Sequence, residues 1–234
     1  MERLRIRIIR IAIMIFPVYK EKGPTSNRVL NKIRKIAGTK KVGHAGTLDP
    51  LARGILVVAI GRDSTKRLSE IVGQEKEYVA EIKLGESSTT DDMEGEKTAH
   101  KVDQIPNQSE VEQVLQSFIG EQQQIPPIFS AIKIKGKEAY KLARQGKEVE
   151  MKSRKVMIKA IELLAYDWPM LKIRVVTGKG VYIRSLARDI GKSLRVGGGY
   201  LTDLERTRIG RYTKEDSVIE QGLESFCNKY KLIG

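Results

Sequence analysis

The chain is poor in the side chains that build metal and redox centres. Its 234 residues hold one cysteine, Cys227, two histidines, His44 and His100, and one tryptophan. A single cysteine excludes an internal disulfide framework. Two histidines and no CxxC leave a structural zinc site without ligands. No apolar run reaches the ~18 residues of a membrane span. A GxxxxGK[ST] phosphate loop and a GxSxG nucleophile turn are both missing. So are internal repeats, low-complexity tracts and a long Gly/Ser/Pro linker.

Positive charge is what the chain has in excess. Lys and Arg number 43 against 29 Asp and Glu, for a formal net charge of +14 and a pI near 9.8. Such a balance points to a polyanionic partner, with nucleic acid ahead of an anionic membrane surface. A lysine-rich surface serving solubility is the plainer alternative. Hydrophobic residues at 40% and charged residues at 31% describe an ordinary globular chain, long enough for a real core.

The opening "MERLRIRIIRIAIMIFP" has a basic start and an apolar end, but no small-residue cleavage site follows. From Arg3 to Ile8 basic and apolar residues alternate, a strand pattern with one wet face. Residues 1–16 are therefore expected to form a basic extension or edge strand, and the protein to be cytoplasmic. Further on, Ser26 reads as the N-cap of "NRVLNKIRKIA", where Val29, Leu30, Ile33 and Ile36 share a face and Arg28, Lys32 and Lys35 point outward. "LVVAIG" (56–61) and "EYVAEIKLG" (77–85) read as strands. "SEVEQVLQSFIG" carries an expected capping box, Ser109 with Glu112, and a closing Gly120. "VMIKAIELLAYDW" and "LKIRVVTG" read as paired strands around a turn near Pro169. "VYIRSLARDIGKSL" returns to helical spacing, with Arg184 and Arg188 four apart on one face. Without a regular βαβ rhythm or a Gly-rich dinucleotide turn, this mixture predicts an α+β fold: a mixed, largely antiparallel sheet with flanking helices.

Chemistry must come from a carboxylate, arginines, lysines and tyrosines. "KVGHAGTLDPLARGIL" (41–56) sets one acid, Asp49, among glycines, small side chains and a following proline. An ionised, poorly hydrated carboxylate can act as nucleophile or base, or stabilise a developing cation at a sugar carbon. Glycines and Pro50 fix such a loop and let a bulky nucleotide come close. "TLDP" reads equally as a turn or a helix start, and spacing alone leaves that choice open.

The same stretch, "GHAGTLDPLARGIL", resembles the signature of the TruB family of tRNA pseudouridine synthases. Four further segments resemble that family in its order: "YKEKGPTS", "KEYVAEIKLGESSTTDDMEG", "QIPPIFSAIKIKGKEAYKLARQGKEVE" and "GKGVYIRSLARDIG". "LTDLERTRIGRY" is similar to its closing strand, and the likeness covers about residues 16–212. Glu21, Arg53, Ser88, Phe129 and Glu205 depart from the usual pattern, and Glu205 stands where a phosphate-contacting basic residue is common.

The resemblance implies that the chain isomerises the T-loop uridine at tRNA position 55. It implies a pseudouridine synthase catalytic domain over 17–234 with an RNA-gripping thumb loop at about 124–154 and no PUA domain. Asp49 is implied as the reagent, attacking C1′ or removing the 2′-proton. Tyr78 would stack on the flipped uracil, and Arg184 would pair with Asp49 and keep it anionic. His44 would wedge beside the T-loop, while Lys20 and Tyr182 support the pocket. Gly43 and Lys179, within the matching segments, and Lys133 and Arg144 of the thumb complete the expected substrate contacts. The partner is the tRNA T-arm stem-loop, with no membrane, no obligate protein partner, a monomeric state, and neither metal nor organic cofactor expected. A non-catalytic tRNA-refolding module and a guide-RNA-dependent synthase are the competing readings.

Overall fold

The computed structural model describes residues 14–134 and 136–229. The strand expected over Arg3–Ile8 and the thumb residue Lys135 lie outside them. The chain divides into two compact units, residues up to 72 together with those from 211, and 73–210.

The first unit opens with β1 (Met14–Lys20), α1 (Ser26–Ile36), β2 (Val42–His44) and β3 (Ala52–Ile60), followed by the short helices α2 (Arg62–Lys66) and α3 (Leu68–Val72). β1 runs antiparallel to β3 in unbroken register from Met14↔Ile60 to Lys20↔Gly54, and β2 flanks β3 through Val42↔Ile60. Thus Met14, Ile15 and Phe16, placed from sequence in an extension or edge strand, are residues of β1. β3 begins four residues earlier than its apolar run suggested.

Helix α1 forms because Val29, Leu30 and Ile33 recur at helical spacing and bury against Phe16, Val18, Leu56 and Val58. Each such side chain contributes ~1.5–3 kcal/mol when fully buried. Arg28, Lys32 and Lys35 stay exposed, as the pattern required. The N-cap, however, is Thr25, whose side chain accepts from the Arg28 amide, and not Ser26. Ser26 is inside the helix and its hydroxyl is drawn away by a long-range partner, described below.

The second unit holds β4 (Lys76–Leu84), the hairpin β5 (Glu86–Ser88) and β6 (Lys97–Ala99), α4 (Gln108–Ser117), β7 (Gly120–Gln124), the small hairpin β8 (Lys133–Ile134) and β9 (Lys137–Glu138), α5 (Ala139–Ala143), β10 (Arg154–Asp167), β11 (Met170–Thr177), α6 (Ile183–Ser193) and β12 (Gly199–Ile209). Its strands pair antiparallel in the order β12–β4–β11–β10–β7. β4 alternates strictly, burying Lys76, Tyr78, Ala80, Ile82 and Leu84 while the residues between are half-exposed. β10 and β11 form the expected pair around Pro169. Helix α6 packs on β12 and buries Ile183, Leu186, Ala187 and Ile190.

The capping box of α4 is Asn107 with Glu110, not Ser109 with Glu112. Both pairs have the right spacing. The Asn107 side chain accepts from Glu110 N at 3.0 Å and the Glu110 carboxylate accepts from Asn107 N at 2.7 Å, which closes the box at the earlier pair. The chain then returns to the first unit with β13 (Val218–Ile219), parallel to β1, a 3-10 turn (Glu220–Gly222) and α7 (Leu223–Lys229). There Phe226 packs on Phe16 with ring centroids 4.7 Å apart. No helix among the described residues is long and apolar enough to cross a membrane.

Candidate active site

In the first unit the Asp49 loop joins β2 to β3, and its backbone is tied down on several sides. The Ala45 amide donates to Val57 O at 2.9 Å and the Gly23 amide to Pro50 O at 2.8 Å. Ser26 Oγ donates to Leu48 O and accepts from Leu48 N, each at 2.9 Å. Fully buried Lys20 donates from Nζ to Ala52 O at 2.6 Å and to Glu21 O at 3.0 Å. A buried ammonium that donates to the carbonyl just after β1 and to the one where the Asp49 loop enters β3 is a brace between the two segments. Gly46 sits at φ +98°, where a side chain is disfavoured. Asp49 is thereby held on a rigid, half-exposed platform. His44 is half-buried on β2 opposite Val58. Gly43 has a packing reason to be glycine: a Cβ there would lie 2.9 Å from Leu68 Cδ1.

In the second unit Tyr78 is buried on β4, flanked by Val175 on β11 and Arg206 on β12. Cross-strand partners share a face, so Arg206, itself fully buried, lies beside the phenol ring's strand position. Lys76, two residues before Tyr78 on the same face, donates to Gln74 O at 2.8 Å. Burial takes its ammonium down to about 8, with the Arg206 guanidinium adding to the effect.

Arg184 is not an exposed helical arginine; it is buried in the first turn of α6. Its Nη1 lies 3.4 Å from Asp92 Oδ2 and donates to Thr90 O at 3.1 Å, while Nη2 donates to Phe129 O at 2.8 Å. Asp92 in turn accepts from the Thr90 hydroxyl and from the Glu94 amide. Thr90 and Asp92 therefore anchor Arg184. Phe129 contributes its carbonyl, so the aromatic substitution there leaves this contact untouched. One turn on, Arg188 pairs with Asp91 at 2.8 Å. Burial pushes the Asp91 carboxyl up, opposed by Arg188 and Arg184.

The start of α6 is fastened by Gln124, whose side chain accepts from Tyr182 N at 2.8 Å and donates to Tyr182 O at 3.1 Å. The Tyr182 ring lies under the Arg154 guanidinium, 4.9 Å from its centroid, and Lys179 is exposed just upstream. In the thumb, Lys133 and Arg144 are exposed, and Arg144 and Lys141 flank the Tyr140 ring at 5.7 and 5.8 Å. This segment is a small hairpin and a five-residue helix, with its cations spread over both. A groove of about 590 Å³ lined by Lys101, Gln104, Glu110, Ser193 and Arg195 contains none of the expected site residues.

Sequence reading did not foresee the roles of Asp91, Gln124 and buried Lys76 and Arg206. The one available signal was the pair Asp91–Asp92 in a chain that also sets two arginines four apart on a helix.

A solved structure titled "Crystal Structure of a Cbf5-Nop10-Gar1 Complex" superposes with a TM-score of 0.71 at 29% identity, covering 93% of this chain and 55% of that one. This chain thus spans just over half of that solved chain. Residues 34–183 match the family described as TruB family pseudouridylate synthase (N terminal domain). A protein of Parabacteroides distasonis named tRNA pseudouridine synthase B is 51% identical over 198 residues, 85% of this chain and 82% of the relative. One of the same name from Phocaeicola vulgatus is 48% identical over 208 residues, 86% of each. The chain belongs to the TruB family of pseudouridylate synthases.

Proposed function

We propose that this protein converts the T-loop uridine at tRNA position 55 to pseudouridine. The observation that carries the reading is the conjunction of the Asp49 loop with 51% identity to a protein named tRNA pseudouridine synthase B. The basic balance of +14 suits a phosphate-rich partner. Cations spaced through the thumb, Lys133 and Arg144 among them, suit contact with a folded RNA backbone more than the reading of bases.

A T-loop uridine is stacked and must be everted before its C1′ can be reached, at a cost of a few kcal/mol. Stacking of the freed uracil on Tyr78 returns ~1–3 kcal/mol of that cost. His44 fills the gap left in the loop, with Lys20, Gly43, Tyr182 and Lys179 shaping or supporting the binding surface. The Asp49 carboxylate acts at the sugar, by addition to C1′ or removal of the 2′-proton, and Arg184 is a further residue of the reaction. The C1′–N1 bond breaks and the uracil turns. A C1′–C5 bond then forms, the C5 proton leaves, and N1 takes one up. The product is an isomer, so the balance needs no oxidant and no second substrate.

The protein acts in the cytoplasm as a monomer, without a guide RNA or protein partner. Incubating it alone with an unmodified T-arm stem-loop transcript, then mapping pseudouridine, tests the reading. Product at the position-55 uridine is expected. Product only when a guide RNA and further proteins are added would favour the guide-dependent alternative, and product at another uridine would change the substrate.

A further inference from the structure

The two arginines of α6 do parallel work on two separate segments. Arg184 binds Asp92 and the Phe129 carbonyl. Arg188, one turn later, binds Asp91 at 2.8 Å and the Ile125 carbonyl at 2.9 Å, and its Nε donates to Asp189 at 2.9 Å. Each guanidinium thus takes one carboxylate from the 91–92 turn and one carbonyl from the stretch 125–129. That stretch is the root of the thumb, which runs on to β8, β9 and α5. Two more contacts fasten the same root: Ser185 Oγ donates to Ile125 O at 2.9 Å, and Gln124 holds the Tyr182 backbone.

The turn at the other end of the bracket is equally committed. Asp91 adopts φ +59°, a left-handed conformation that is uncommon for a residue with a side chain. Its carbonyl accepts from Leu201 N at 3.1 Å and its amide donates to Ser88 O at 3.1 Å. The carboxylate is therefore aimed at Arg188 by the backbone, and both side chains are largely buried. A charged hydrogen bond in such surroundings is worth more than an exposed pair.

We propose that Arg188 is a positioning residue: it clamps the root of the thumb to α6, so that RNA seated on the thumb and the Arg184 guanidinium reach their working arrangement together. The inference rests on the reading of Arg184 as part of the reaction. The guanidinium fork matters here, because three separate acceptors at three directions are held by one planar group. The cost that burial imposes on the Asp91 carboxyl is in keeping with a pair kept for orientation.

The test compares wild type with Arg188→Gln, Arg188→Lys and Asp91→Asn, the last chosen because asparagine tolerates the left-handed backbone. Single-turnover pseudouridine formation and T-arm RNA affinity are measured separately. Trypsin cleavage within residues 133–147 is followed on the free proteins. Expected for both Arg188→Gln and Asp91→Asn is a rate about tenfold lower with affinity held within about twofold. Arg188→Lys should recover part of the rate, and thumb cleavage should quicken in the order of lost contacts.

Unchanged rates, or a rate loss matched by an equal affinity loss, or thumb cleavage no faster than wild type, would each overturn the clamp. The cleavage arm needs no substrate. If wild type itself makes no pseudouridine, the functional reading fails while cleavage still decides the clamp.

Discussion

The hydroxyl of Ser26 grips the backbone of Leu48 from both sides, donating to its carbonyl and accepting from its amide at 2.9 Å each. The residue before Asp49 is thus bonded to the first turn of α1, on the same buried face that Val29, Leu30 and Ile33 lock into the core. Core packing reaches the carboxylate through one serine.

Ser26→Ala leaves two buried backbone groups of Leu48 without that partner. Loss of about 1–3 kcal/mol is expected, read from the urea unfolding midpoint. Because the loop that carries Asp49 loosens, kcat should fall while KM stays close to wild type.

Gly191 lies where α6 meets the backbone of residues 198–199. A Cβ there would overlap the Gly198 carbonyl and crowd the Gly199 amide. Alanine in a helix normally gains ~1 kcal/mol over glycine. Backbone cannot yield as a side-chain tip can, so overlap wins, and Gly191→Ala should cost about 2–4 kcal/mol. Displacing α6 displaces Arg184 and Arg188 together, so activity should fall as well.

Removal of Arg184 strands Asp92 in a buried site. Arg184→Met should destabilise by about 3–5 kcal/mol in denaturant titrations. Arg184→Lys keeps a charge, but one ammonium cannot span Asp92 and the carbonyls of Thr90 and Phe129. Turnover in both variants is expected to be lost to a similar extent.

Lys76 sets a pH dependence. Its ammonium titrates near 10.5 when unfolded and at about 8 in the fold. Between those values the unfolded chain binds more protons, so stability rises with pH across that window and is insensitive to this group below it. Lys76→Met should flatten the slope. The stability of wild type relative to the variant is expected to grow by roughly 2–3 kcal/mol from pH 8 to pH 10. Urea titrations at four pH values check it.

Local pattern made the two main helices and the long strands legible. Period alone marked the buried face of α1, because that face meets a core. Caps were misplaced by one or two residues. Thr25 competes with Ser26, and Asn107–Glu110 with Ser109–Glu112, in overlapping patterns that spacing alone does not resolve. β7, "GEQQQ", carries no apolar alternation and is a strand because its backbone pairs with β10. Resemblance singled out Asp49, Tyr78 and Arg184, yet their surroundings were invisible. Arg184 and Arg188 find Asp92 and Asp91 across more than ninety residues of chain. Charge pairs at that separation leave no periodic trace.

Asp49→Asn is the most direct measurement, because it changes one oxygen for a nitrogen and leaves the Ala52 amide bonded to the Asp49 carbonyl. Purified wild type and variant are each incubated with the T-arm transcript and pseudouridine is mapped at single-nucleotide resolution. The account expects full conversion by wild type, none by the variant over the same period, and RNA affinity within about twofold between them. Pseudouridine formed by Asp49→Asn at a rate near wild type would contradict it.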